Sequence, residues 1–246
     1  MRNQMSLANI RTKAQLKPPI ITLYGPGGIG KTSFGASMNK PIIVQTEDGI
    51  GKIECPHFPV AQSYEEFEGN LKSLIEEKSE YKTVVIDSLD WLETLLQEHV
   101  CQENGWPEIS SPAYGKGYAV ALETWKDYLG LINKLRKKGF TILQIAHNEI
   151  RRYEDPSNEP HDRHQIKLHR KAADLVIEHS DCVLFANYKI GTIQVKGKGG
   201  NMTTKMKQGD RTIFTEAGPG FQAKNRFSLD PEMPFEWKTI REAMIK

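Results

Sequence analysis

Cysteine is scarce: Cys55, Cys101 and Cys182 are the three in 246 residues. They are too few and too far apart for a disulfide framework or a zinc ribbon, which suits a reducing compartment. No apolar run approaches the roughly 20 residues that cross a bilayer, and the N-terminus has no signal-peptide core. An excess of one charge is lacking too. The 33 Lys and Arg nearly balance 31 Asp and Glu, so bulk charge does not argue for nucleic acid and only local clusters could. No internal repeat is present. These absences exclude secreted disulfide scaffolds, membrane-spanning proteins and repeat arrays. They leave an expected soluble, cytoplasmic protein, long enough for one α/β domain with extensions.

What the chain does contain is Gly25-Pro26-Gly27-Gly28-Ile29-Gly30-Lys31-Thr32, the pattern G-x-x-x-x-G-K-[ST]. The apolar run Ile20–Tyr24 precedes it and the helix-compatible Ser33–Met38 follows, which is the strand–loop–helix context the motif needs. Glycines let successive N–H groups, including those of Ile29 and Ser33, turn toward phosphate oxygens at a helix N-terminus. Lys31 is placed to reach the β- and γ-phosphates of a nucleoside triphosphate, expected to be ATP, and Thr32 to ligate Mg2+.

Strands are expected at 42–45, 83–86, 140–146 and 182–185, and helices at 63–78, 89–102, 119–138 and 171–179. Ser63 with Glu66 makes a capping box. Alternating β and α segments with continuous apolar strands predict an α/β fold, a mostly parallel doubly wound sheet finished by C-terminal β-hairpin strands. The division is a basic arm at 1–17, a core at 18–237 and a tail at 238–246. Asp87, closing the third strand, fits the Walker B carboxylate that holds Mg2+. Glu47 lies just past the second strand, at the edge where ligands collect in open α/β sheets. It is a candidate to orient water, with Asp48 as the alternative.

With these motifs the chain resembles the phage-type RecA-like ATPases, a group that includes single-strand-annealing recombination proteins of the Sak kind. The resemblance rests on Gly25–Thr32, Val84-Val85-Ile86-Asp87-Ser88, Tyr114-Gly115-Lys116-Gly117-Tyr118, the strand end at His147, and Ala223-Lys224-Asn225-Arg226-Phe227. The last stretch is similar to the Lys-Asn-Arg-Phe-Gly motif of bacterial RadA, with Ser228 in place of the glycine. The resemblance implies that Glu47 is the catalytic carboxylate and His147 the γ-phosphate sensor, with Asn148 second. It implies that Lys224 and Arg226 act in trans on a neighbour's phosphates, as an arginine finger does, so the protein works as a homo-oligomeric ring or filament. It also implies single-stranded DNA as partner, a single-strand DNA-binding protein among further partners, and a role in phage recombination or replication. No long DNA-pairing domain of full recombinases is present.

Two basic stretches are candidates for the DNA. Residues 151–171 hold Arg151, Arg152, Arg163, Lys167, Arg170 and Lys171 against four acids and read as a polar loop. Residues 189–211 hold Lys189, Lys196, Lys198, Lys205, Lys207 and Arg211 against Asp210 alone. Few aromatics interleave, so backbone contact and salt-sensitive binding are expected. Two other functions fit the phosphate loop: a nucleotide-gated loader or adaptor, and a small-molecule kinase whose lid Arg151-Arg152 would form.

Overall fold

Apolar residues facing both sides of a strand demand cover on both faces, and this sheet is built that way. The computed structural model describes residues 17–154, 159–196 and 202–245, with backbone alone at 192–196 and 202–207. Its strands are β1 (Ile20–Gly25), β2 (Pro41–Gln45), β3 (Thr83–Asp87), β4 (Thr141–Tyr153), β5 (His161–Ile166), β6 (Cys182–Lys196), β7 (Met202–Phe214), β8 (Lys224–Asn225) and β9 (Glu232–Pro234). The helices are α1 (Lys31–Ala36), α2 (Tyr64–Glu76), α3 (Leu89–Asn104), α4 (Lys116–Lys137), α5 (Arg170–His179) and α6 (Trp237–Ile245). The sheet runs β2-β3-β4-β1-β6-β7-β9, parallel from β2 to β6 and antiparallel beyond.

Alternation divides the core into two layers. Ile20, Tyr24, Ile42, Val44, Val84 and Ile86 face α2, α3, α4 and α5, whereas Ile21, Leu23, Ile43, Val85, Leu143 and Ile145 face α1 and α6. One chain of polar groups inside is paired, as burial favours. Tyr128 donates to Gln144, Gln144 donates to the Thr22 hydroxyl at 3.1 Å, and Thr22 shares a 2.8 Å bond with Ser180. Strand β4 stands between the phosphate-loop strand β1 and the strand β3 that ends in Asp87. This is the mostly parallel α/β core, finished by antiparallel C-terminal strands, expected from the sequence.

Three segments differ from expectation. Strand β4 does not stop near Ala146. It continues to Tyr153 and pairs antiparallel with β5 from Asn148↔Ile166 to Tyr153↔His161, so most of the expected polar loop is a ribbon. A ribbon with polar and charged residues on both faces has no apolar period to reveal it. Residues 238–246, read as a tail, belong almost entirely to α6, whose Trp237 and Ile240 are buried beside Phe34. The basic arm and Lys198 lie outside the described residues, except for Lys17. Lys196, Lys205 and Lys207 lie on the β6–β7 ribbon, opposite Met202, Ile193 and Gly191.

Candidate active site

The parallel order brings the C-terminal ends of β1, β2, β3 and β4 to one edge, where open α/β sheets bind ligands. Gly25 ends β1 so close to β6 that a Cβ there would meet the Ala186 carbonyl oxygen at 2.2 Å. The loop then turns through Gly28 and reaches Gly30, whose φ of 101° suits glycine, before α1 begins at Lys31. Ile29 is buried and anchors the turn in the core. Lys31, itself buried, donates to the carbonyls of Gly25 and Pro26 at 3.0 Å each. Thr32 Oγ1 donates to Asp87 Oδ2 at 2.7 Å.

Strand β2 is locked to β3 just beyond the sheet. The Thr46 amide donates to the Asp87 carbonyl, the Thr46 hydroxyl donates to the Ser88 carbonyl at 2.7 Å, and the Ser88 amide donates back at 2.8 Å. This bracket sets the next residue, Glu47, over the loop, and the Ser88 hydroxyl donates to Glu47 Oε1 at 2.6 Å. Glu47, Asp87 and His147 line one cavity of about 350 Å³ with Gly28, Gly30, Lys31, Thr32 and Ser33. Asp48 is not among the lining residues, and Asn148 turns instead to His164 Nδ1 at 2.8 Å. Of each pair of alternatives, Glu47 and His147 are the ones brought to the cavity.

Sequence reasoning missed Asp90. Its carboxylate accepts from the His147 amide at 3.0 Å and from His147 Nδ1 at 3.0 and 3.2 Å. Burial opposes the Asp90 charge, but the bonds from the His147 ring and amide outweigh it and hold the carboxyl below its usual range. Asp90 therefore fixes the ring that faces Glu47 3.9 Å away. Lys167 sits in the same group, its amide bonded to the His147 carbonyl and its Nζ 4.0 Å from Asp90.

Electrostatics shows what the cradle would hold. Burial lowers the Lys31 pKa, with Asp87, Asp90 and Glu47 pulling it back. Burial raises that of Asp87, and the nearby Glu47 adds to the rise. Each charge is costly alone, and a polyanion with a divalent cation answers both. Thr32 and Asp87 offer hard oxygen donors, so this corner fits Mg2+ completed by phosphate and water.

The late Lys-Asn-Arg lies elsewhere. Lys224 Nζ donates to the Ile177 and Glu178 carbonyls at the end of α5, at 2.7 and 2.9 Å. Arg226 reaches Asp181 at 3.4 Å, beside the start of β1, where Asp181 also accepts from Ile20 N and Arg136. Both therefore stand at the opposite end of β1 from their own phosphate loop.

A family described as an AAA domain matches residues 17–227. The chain belongs to this AAA domain family. The AAA domain family is a P-loop ATPase family, which agrees with a cradle that places a carboxylate beside the phosphate loop. The SPbeta prophage-derived uncharacterized protein YorG of Bacillus subtilis strain 168 is 29% identical over 176 residues. That match takes in 69% of this chain and 51% of YorG, so the chain spans about half the length of this curated relative. The crystal structure of flagellar accessory protein FlaH from Methanocaldococcus jannaschii is 12% identical, with a TM-score of 0.38 over 85% of this chain and 88% of FlaH. Among the described residues of this AAA domain, no helix is long and apolar enough to cross a membrane.

Proposed function

We propose that this ATPase spends ATP to change its hold on single-stranded DNA during phage recombination or replication. One observation carries the reading. His147 ends the part of β4 paired with β1, and the same strand continues without a break into the basic ribbon. Arg151 and Arg152 on that ribbon share a cavity of about 580 Å³ with Arg170, where three arginines outnumber Glu154 and Asp174. Lys167, bonded to His147 through its amide, is exposed. A shift of His147 with the state of the γ-phosphate is thereby a shift of the ribbon. The prophage origin of YorG supports the phage setting.

In this reading the loop amides and Lys31 hold the triphosphate, and Glu47, steered by Ser88, orients the attacking water and takes its proton. His147, held by Asp90, meets the γ-phosphate. Thr32 and Asp87 would hold Mg2+, which when bound would supply neutralising charge to the phosphates. A homo-oligomer would present Arg226 of one copy to the next copy's cavity, at the expense of its 3.4 Å contact with Asp181.

The coupling is tested by the anisotropy of a labelled oligonucleotide, with and without a non-hydrolysable ATP analogue, across a salt series. Affinity should change with nucleotide and fall with salt. Replacing Arg151 and Arg152 by Gln should flatten the salt slope by about one to two. DNA binding indifferent to nucleotide would sink the reading.

A further inference from the structure

A triphosphate has two ends, and the residues above account for one. Glu47, Asp87 and His147 gather on the β2–β3–β4 side of the phosphate loop, which makes that side the γ-phosphate end. A nucleotide laid along the loop directs its nucleoside the other way, toward β6 and β7.

On that flank Arg211 reaches across from β7. Its Nη1 donates to the Ile29 carbonyl at 3.1 Å and lies where a Cβ on Gly30 would be only 2.7 Å away. The guanidinium is laid over the Phe235 ring, with Cζ 5.1 Å from the centroid. Phe235 packs in turn on Phe34 of α1 at 5.2 Å, and Phe34 meets the buried Trp237 edge-on at 6.2 Å. A rigid aromatic stack thus supports a planar cation immediately outside the loop. Arg211 is exposed despite these contacts and is not among the residues lining the phosphate cavity. Its charge is aimed at the outer carbonyl of the loop. Beside it a cavity of about 670 Å³ opens along β7, lined by Lys189, Ile190, Arg211, Thr212, Glu232 and Pro234. That volume lies in the range of small-molecule sites.

We propose that Arg211, backed by Phe235, is the nucleobase platform of the site. The base stacks on the outer face of the guanidinium, while the bond to Ile29 ties the platform to the phosphate loop. Stacking of a π-system on Arg is tolerant of base identity but scales with ring area, so purines are favoured over pyrimidines. The inference rests on the nucleotide-binding reading of the loop and extends it from the phosphates to the base.

The test is calorimetric titration of the full chain with ATP, CTP and inorganic triphosphate, each with Mg2+. The unaltered protein should bind ATP more tightly than CTP. Arg211→Ala should weaken ATP about tenfold, the size expected of one lost stacking contact, and change inorganic triphosphate by less than about twofold, because that ligand has no base to stack. The retained triphosphate affinity is the internal check that the loop is folded. Arg211→Lys keeps the charge but not the plane and should behave like the alanine variant. Phe235→Leu, which keeps apolar bulk, should also lose ATP selectively. Equal losses for ATP and triphosphate, rescue by lysine, or no loss at all would each overturn the assignment. Failure of the unaltered protein to bind any of the three would instead overturn the nucleotide reading itself, and the platform with it.

Discussion

Asp90→Asn changes no volume, removes one charge and turns one acceptor into a donor. In the native site the Asp90 side chain is only 5% exposed and holds both the amide and the ring Nδ1 of His147. An asparagine has a single oxygen to offer, and its NH2 group would face the second donor. A buried donor left unpaired costs about 1–3 kcal/mol, and a lost bond to a charged group falls in the same range. Assigning about 2 kcal/mol to the sensor-in-place arrangement lowers kcat roughly 30-fold, at about 1.4 kcal/mol per factor of ten. KM should stay within about threefold, because the loop that grips the phosphates is untouched. At this chain length the same energy lowers the melting temperature by about 4–8 °C. Steady-state ATP turnover with a thermal melt measures all three. An unchanged kcat, or a raised KM at constant kcat, would refute the role given to Asp90.

Three further outcomes follow from packing and charge. Burial pushes the Glu93 carboxyl up to about 7, although the His169 amide donates to both its oxygens. A carboxyl raised in the folded state favours the protonated folded chain, so its contribution is present below the ordinary value of 4.5 and lost as pH rises through about 7. Glu93→Gln should remove that fall, gaining about 2–3 kcal/mol on the wild type between about pH 5 and pH 8 by denaturant midpoint. Parallel pH curves would contradict it. Asp181→Ala strands Arg136 and should cost about 3–5 kcal/mol, whereas Arg226→Ala on the exposed rim should cost about 1 kcal/mol or less. Loss of turnover in a stable Arg226→Ala would mark action across a subunit boundary, and full turnover would end the trans proposal. Ile240→Ala empties a fully buried position of α6 and should destabilise by about 2–4 kcal/mol, while an unaltered midpoint would show that α6 is not docked.

The legible parts of the site are those that local chemistry or topology dictates. The phosphate loop is contiguous, so its cradle can be read from spacing alone. Glu47, Asp87 and His147 each follow an apolar parallel strand, and such strands deliver their C-terminal ends to one edge without any contact being known. Asp90 reads as an acid complementing the first turn of α3. Its partner is 57 positions away and becomes visible only when β3 and β4 are adjacent. Arg211 meets Ile29 across 182 positions, through a hairpin that gives no register in sequence. The β4–β5 ribbon is charged on both faces and carries no period. Trp237 and Ile240 do have helical i, i+3 spacing, a signal too short to outweigh their place near the end of the sequence. The charge of Lys224 and Arg226 was legible, but not that α5 and Asp181 satisfy it within the chain.

ATP turnover by the full chain, with and without single-stranded DNA, measured beside Glu47→Gln, tests the coupling most directly. The expected result is Mg2+-dependent phosphate release that DNA accelerates, less so as salt rises, and that Glu47→Gln abolishes while still binding ATP. Turnover that ignores DNA at every salt concentration, or that survives in Glu47→Gln, would contradict it.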